Sequence, residues 1–570
     1  MHLGNGSQND RGWWCVVYVA ASESLGESVI FILLATATWI PPILGYGALL
    51  HYQGDLRLRR AVTGMLGIGV LIVFGILLNF ALPLSPLAAP VWLVGLFLFF
   101  RRRRWVLEGL SATEILGAGA ALVFFSLLIL PHEHNFDIGL YYLQTVKWIS
   151  ERPIQVGLAN VHGRLAFNSG WFIFASLLHH PWAPDGGYFA NLLPMTFTAA
   201  AVSVALERLI RGDRSYPNLG LAFMVVPLAH ATTGLGGAAP DYVMTVLVPL
   251  ALVLWAHSFA LGSQDDARAA TLLCVLATVI KISAAPLLPG SLLALALRYR
   301  EYRPAWMARL GAMIAVGIGP WVLRSVFLSG CLVYPVVSTC FARLRWMPDA
   351  ASVRGEKDWL ASWARLPRFK PDQVLGNWAW LPSWWKASVL ARPDILLLLA
   401  LIVVGLLCWL VSLRATSRAL AVPFAVAFAG SVFWFLSAPD PRFGLGFLHA
   451  LWLLPLAFVA SHPRLFSHPL PRAGLCAGLL ATAGYLLKTM GMWGMLVHGS
   501  RVFPVLAWPA PIDGTVGTEV KVTASGYQVR VPIKNDQCFA AELPCTPYFD
   551  ARLTDEGVLT VRQSQSASAR

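Results

Sequence analysis

The recurrence of apolar runs close to the length of a membrane-spanning helix limits what this chain can fold into more than any other feature. A helix rises about 1.5 Å per residue, so about 20 apolar residues cross the hydrocarbon core of a bilayer. Such runs are read at 28–50, 61–82, 86–100, 112–131, 186–209, 216–230, 240–260, 268–283, 284–298, 305–328, 394–413, 418–436, 444–461 and 473–497. In lipid each backbone N–H and C=O must find its partner inside the segment, which leaves helices as the form for runs of this kind. The expected fold class is an all-α polytopic membrane protein of about 13–14 transmembrane helices. The stretch 268–298 can also be read as one broken helix around "SAAPLLPG".

Composition agrees, with 57% hydrophobic and only 13% charged residues and 23 Trp in 570. A net charge of +14 raises the question of a nucleic-acid partner. The basic residues sit in short loops between apolar runs, where they set membrane orientation, so no nucleic acid is expected and the partners include membrane lipids. "LRLRR" after 28–50 and "RRRR" at 101–104 are placed in the cytoplasm by the positive-inside rule, together with "ERLIRGDR", "RYREYRPAWMAR", "SLRATSR" and "SHPRLFSHPLPR". The alternating segments, 132–185, 230–242, 329–393 and 437–444, are then extracytoplasmic. The N-terminal segment 1–27 contains "GWWCVVYVAA", too short to span and without a small-residue cleavage site, so no signal peptide is expected.

The expected domain organisation follows. The segment 1–27 precedes a transmembrane region 28–508, and 509–570 forms a small extracytoplasmic domain. In that last part Val alternates with polar residues between Gly breaks, which is strand-and-turn chemistry, so a small β-rich C-terminal tail is expected. Six of the eight Cys lie in or beside apolar runs, where a buried thiol is the usual form. Cys538 and Cys545 share the tail, and an oxidising face allows them to pair as a disulfide.

Directly after 112–131 comes "PHEHNFDIGLYYLQTVKWISERPIQVGLANVHGRLAFNSGW", an abrupt concentration of polar groups. As a helix, 137–151 places Asp137, Tyr141, Gln144, Trp148 and Glu151 on one face and Ile138, Tyr142, Val146 and Ile149 on the other, the pattern of a helix lying on the membrane surface. Asp137 at its first turn can act simply as a cap. Its neighbours His132, Glu133, His134, His162, Arg164 and Asn168 favour a site, because polar groups this dense beside an apolar surface usually line one.

This layout, a span followed by a large extracytoplasmic loop with an acidic residue near its start, then many spans and an extracytoplasmic tail, resembles the GT-C class of membrane glycosyltransferases. More closely, "FDIGLYYLQTVKWI", "GLANVHGRLAFNSGWF", "LSGCLVYP", "APDPRFG" and "LPCTPYFD" are similar to blocks of a family of bacterial multi-pass membrane proteins, over roughly residues 112–550. The resemblance implies a bacterial inner-membrane enzyme that takes a sugar from a polyprenyl-phosphate donor and passes it to an extracytoplasmic glycan or lipid acceptor. In such chemistry a carboxylate removes the acceptor proton and a cation holds the departing phosphate. Asp137 matches the position of the class's loop acid. Many members carry an adjacent acidic pair, whereas here the second acid is Glu133, four residues earlier.

For the phosphate, Arg442 in "SAPDPRFG" comes first, next to Asp440 and fixed by the two prolines that precede it; Arg164, Arg324 and Lys281 follow. Arg442 can also serve as a structural partner of Asp440 or Asp137. His134, Tyr141, Gln144, Trp148, His162, Asn168 and Asp440 are the expected substrate contacts. No cofactor is fixed by the sequence and a divalent metal stays open: His132, Glu133 and His134 can furnish imidazole and carboxylate ligands, but no ligand set is assigned. Trp359 and Trp363 in 329–393 are expected on one helical face, suited to interfacial anchoring or sugar stacking. A flippase for polyprenyl-linked glycans, a glycan polymerase or ligase, and a structural assembly protein remain alternatives.

Overall fold

A computed structural model describes residues 29–129, 136–179, 186–187, 189–412, 418–461, 469–490 and 516–561. The expectations for 1–27 and for His132, Glu133 and His134 lie outside these residues.

Among the described residues, nine helices are long and apolar enough to cross a membrane: Ile30–Leu50, Arg59–Asn79, Ala112–Ile129, Leu192–Ile210, Pro240–Leu261, Pro304–Ser329, Pro393–Ser412, Arg418–Ser437 and Pro441–Ala460. The other expected spans take different forms among the described residues. The run 86–100 becomes Ala88–Leu107, which carries the four arginines inside the helix. The run 216–230 divides into Tyr216–Phe223 and Val225–His230. The stretch 268–298 is a broken helix, Gln264–Ile280 and Leu287–Leu297, with Lys281 extended at the break (φ −150°, ψ 125°). The last run is Pro469–Thr489 as far as it is described.

The two ends of the bundle differ in chemistry. At one end the short basic loops meet: Arg57 pairs with Asp213 at 2.9 Å, Arg59 with Glu108 at 2.6 Å, and Arg60 donates to Glu114 Oε2 at 2.6 Å. Arg268 donates to the His51 carbonyl at 3.0 Å. Arg59, Arg60 and Glu114 are buried, so these charges also tie helices together.

At the other end the first loop, the segment after Pro304–Ser329 and the C-terminal tail share a second apolar core that includes Trp148, Leu165, Tyr334, Val353, Val529 and Leu559. The tail is two antiparallel hairpins: β1 (Thr518–Val522) pairs with β2 (Gln528–Pro532) with Val520 opposite Arg530, and β3 (Leu553–Asp555) with β4 (Leu559–Val561). It is fastened by backbone bonds, Leu559 N–H to Val156 O at 3.0 Å and Phe539 N–H to Gly139 O at 2.8 Å. Gly157, at φ +80°, lets β4 approach, since a Cβ there would fall on the Leu559 carbonyl oxygen. Cys538 and Cys545 are bonded. So are Cys331 and Cys340, which the sequence reading took for buried thiols. Each adjoins an apolar run, but the chain turns back between them.

Candidate functional site

"SAPDPRFG" folds as a rigid entry to Pro441–Ala460. Asp440 caps that helix, its Oδ1 accepting from Arg442 N–H at 3.0 Å, and Pro441 supplies the fixed φ of a first helical residue. Two indoles hold the approach: Trp384 Nε1 donates to Pro439 O at 2.9 Å and Trp434 Nε1 to Asp440 O at 2.7 Å. Arg442 is thereby fixed in the first turn, with its guanidinium over Phe443 (4.8 Å) and Trp363 (5.1 Å).

Asp137 faces it. The chain at 138–142 forms a wide π turn that runs into Leu143–Glu151. Asp137 Oδ2 accepts from Arg442 Nη2 at 3.1 Å and Oδ1 from Arg164 Nη1 at 3.4 Å. Arg164 stands in the 3-10 turn Gly163–Ala166 and also reaches Glu356 Oε1, 3.3 Å from its Nε. Burial opposes the charge on Arg164, but Glu356, Tyr141 and Asp137 more than offset it and raise its pKa. Burial likewise pushes the Glu356 carboxyl above its usual value, and Arg164 only partly reverses this. Lys281 pairs with Asp241 and lies over the Phe443 ring at 4.0 Å. Asp137, Arg164 and Arg442 thus converge, with Lys281 beside them and Asp440 behind.

Other expected site residues stand elsewhere. Gln144 is buried and donates to the Phe539 and Ala541 carbonyls of the tail at 3.0 and 2.9 Å, and Trp148 is buried in the second core. The face they share with Asp137 is covered by the tail instead of opening to a cavity. Tyr141 does stay with the cluster, under the Arg164 guanidinium at 5.9 Å. His162 is buried against Tyr548, ring centres 5.1 Å apart. Burial, with Arg164 nearby, lowers its pKa to about 3. Asn168 binds Arg324 through its Oδ1 at 2.6 Å and donates to Trp321 O at 2.6 Å, so Arg324 is held by an amide. Trp363 covers Arg442 while Trp359 is exposed. No group of three or more His, Cys, Asp or Glu among the described residues is arranged to hold a metal ion.

Three features escaped the sequence reading. Glu356 and Asp241 are the carboxylates that hold Arg164 and Lys281. The third is a buried polar chain: Arg392 donates to Asp394 at 2.6 Å, Asp394 Oδ2 lies 3.4 Å from His230 Nε2, and His230 Nδ1 lies 3.1 Å from His449 Nε2. Trp452 Nε1 donates to His449 Nδ1 at 3.1 Å. An indole only donates, so for neutral rings the protons run in one direction, from Trp452 through His449 and His230 to Asp394. Their signal was "HATTG" and "LGFLHALW", single His residues inside apolar runs.

A family model described as "Domain of unknown function (DUF8201)" matches residues 29–449. The chain belongs to this family. No curated protein and no solved structure matches the chain. The DUF8201 region contains Asp137, Arg164, Asp241, Lys281, Glu356 and Arg442, so the charged cluster is built within the family's own domain. The hairpin tail that covers its first loop lies beyond that region.

Beside the cluster the bundle holds an apolar cavity of about 610 Å³, lined by Trp384, Trp385, Ile395, Leu398, Trp434 and Pro441 among others. Pro441, the residue before Arg442, is part of its wall.

Proposed function

We propose that this protein is a membrane glycosyltransferase that takes a sugar from a polyprenyl-phosphate donor and transfers it to an extracytoplasmic envelope glycan or lipid, in the manner of the GT-C class. The observation that carries it is the adjacency of Arg442, ion-paired to Asp137, and an apolar cavity of about 610 Å³. A lipid phosphate has the same two-part character, and an Arg fork is suited to its oxygens. The cavity offers the isoprenoid chain an aromatic and aliphatic wall. Arg442 stabilises the phosphate as it leaves, and a carboxylate of the cluster takes the acceptor proton. The cluster lies at the end opposite the basic loops, which the positive-inside rule assigns to the extracytoplasmic face of a bacterial inner membrane.

The test is direct. Purified protein should bind undecaprenyl phosphate in detergent, read as quenching of its tryptophan fluorescence. With envelope glycan and lipid of the native host added as acceptor, it should also release undecaprenyl phosphate from lipid-labelled undecaprenyl-phosphate sugars. Failure of both removes the proposal.

A second reading, movement of a polyprenyl-linked glycan across the membrane, is favoured by the helix broken at Lys281 and by the buried Asp394–His230–His449 chain, since broken helices and intramembrane His and Asp mark transport paths. Translocation of labelled lipid-linked glycan in proteoliposomes, with no release of lipid phosphate, would put that reading first.

A further inference from the structure

We infer that Glu356 is the group that removes the proton from the acceptor hydroxyl, and that Asp137 is a positioning residue that holds Arg164 and Arg442 in place. This rests on the glycosyltransferase reading of the same cluster.

The two carboxylates differ in how their oxygens are engaged. In Asp137 each oxygen accepts from a different guanidinium, Oδ1 from Arg164 and Oδ2 from Arg442. Glu356 gives Oε1 to Arg164 and turns Oε2 toward Gly163. A Cβ built on Gly163 would lie 2.9 Å from Glu356 Oε2 and 2.9 Å from the Tyr334 hydroxyl. These two polar atoms therefore close on the Gly163 backbone from the same side, an approach that a residue without a side chain allows. An acceptor hydroxyl that hydrogen-bonds to Glu356 Oε2 meets the Tyr334 phenol beside it. Phe167, 5.7 Å from Tyr141 and 6.1 Å from Tyr334 between ring centres, extends an aromatic wall beside it, a surface on which a sugar face can stack.

The same helix connects this pair of polar groups to the phosphate cation. Glu356 and Trp363, seven residues apart on Ala350–Arg365, fall on one face, with Glu356 on Arg164 and Trp363 over Arg442. Proton acceptor and phosphate holder are set by one rigid element. The groups facing Glu356 are Arg164, Tyr334, the tail's Tyr548, and Asp137 across Arg164. Burial raises the proton affinity of Glu356, which brings a carboxylate nearer to the range where a general base works well.

The step balances without a further reactant. The acceptor proton passes to Glu356 Oε2 as the acceptor oxygen bonds to the anomeric carbon. The bond from that carbon to the phosphate oxygen breaks, and its electron pair leaves with the polyprenyl phosphate against Arg442. Glu356 then returns its proton to solvent.

The experiment compares Glu356→Gln, Glu356→Asp and Asp137→Asn in purified full-length protein. Turnover is read as release of undecaprenyl phosphate from lipid-labelled undecaprenyl-phosphate sugars, with envelope glycan and lipid of the native host as acceptor, across pH. Binding of undecaprenyl phosphate is measured in parallel and reports folding. Glu356→Gln should bind the lipid phosphate within about twofold of wild type and lose about 10²–10⁴-fold in turnover, with the acid limb of the pH profile gone. Glu356→Asp should keep part of the activity with a displaced limb. Asp137→Asn should change lipid-phosphate affinity and keep the limb. Near wild-type turnover in Glu356→Gln, or an unchanged limb, overturns the inference while lipid-phosphate binding keeps the reading of the site. If wild type neither binds nor releases undecaprenyl phosphate, the reading itself falls and the inference with it.

Discussion

Asp137 Oδ2 accepts a hydrogen bond from Arg442 Nη2 at 3.1 Å across 305 residues of sequence. The bond joins the first loop to the start of Pro441–Ala460, a helix that packs against Pro240–Leu261, Pro393–Ser412 and Arg418–Ser437. With the Asn168 bonds to Trp321 and Arg324, it fastens the first loop to the helices below it.

Arg442 is therefore expected to act in binding and in loop attachment. Arg442→Ala should weaken undecaprenyl phosphate binding by at least about tenfold, because a charge-assisted hydrogen bond is worth about 1.5–3 kcal/mol. Arg442→Lys should recover only part of this, since a point charge replaces a planar fork. Fluorescence titration of the three proteins checks the order, and equal affinities would take the phosphate away from Arg442.

The separation of basic loops from the charged cluster makes a topological prediction. Single cysteines at Arg102, Arg354 and Glu519, all exposed positions, should divide into two classes toward a membrane-impermeant maleimide in intact cells. Arg354 and Glu519 should label and Arg102 should not. Labelling of Arg102 together with Glu519 would contradict the orientation.

The sequence made some of this visible and hid the rest for physical reasons. Asp137 and Arg442 stood out because charge is costly beside apolar runs and because two prolines fix the arginine. Periodicity correctly joined Gln144 and Trp148 to one face but carries no information on what covers that face, here a tail almost 400 residues away. Glu356 was hidden in "SVRGEKDWLASW", where it looks like one charge among several on an exposed helix; only the fold shows that Val353 and Trp363 turn inward and bring it to Arg164. The break at Lys281 was readable from "SAAPLLPG". The break inside 216–230 was not, because hydropathy averages over a window and passes smoothly across an interruption of the helix at a single apolar residue, Met224.

Peptide mapping without reduction should recover two bridged pairs, Cys331–Cys340 and Cys538–Cys545, and alkylate Cys274, Cys408 and Cys476 as free thiols. The second bridge closes the loop that presents Phe539, Ala540 and Ala541 to Gln144 and Lys147. Replacing Cys538 and Cys545 with Ser should cost about 2 kcal/mol or more and expose the tail to protease. Free thiols at these positions in protein from an oxidising compartment, or a tail of unchanged resistance, would contradict it.

His162 gives the pH prediction. Its ring is buried between the first loop and the tail, its Nε2 has no hydrogen-bond partner, and its pKa is lowered from 6.5 to about 3 by burial first and Arg164 second. The folded state therefore resists the proton that the unfolded state accepts below about pH 6.5. Stability from neutral His162 is fully present above that pH and is lost as pH falls toward 3, by up to about 1.4 kcal/mol per pH unit. Glu356 works in the opposite sense, because its raised pKa makes burial less costly once it is protonated, so the comparison must be between proteins that both retain Glu356. His162→Phe keeps an aromatic ring against Tyr548 and removes the titration. The melting temperatures of wild type and His162→Phe in detergent should diverge between pH 6.5 and 4.5, with wild type falling faster as the solution is acidified. Parallel curves over that range would show that His162 either takes up its proton in the folded state or is not enclosed by the tail.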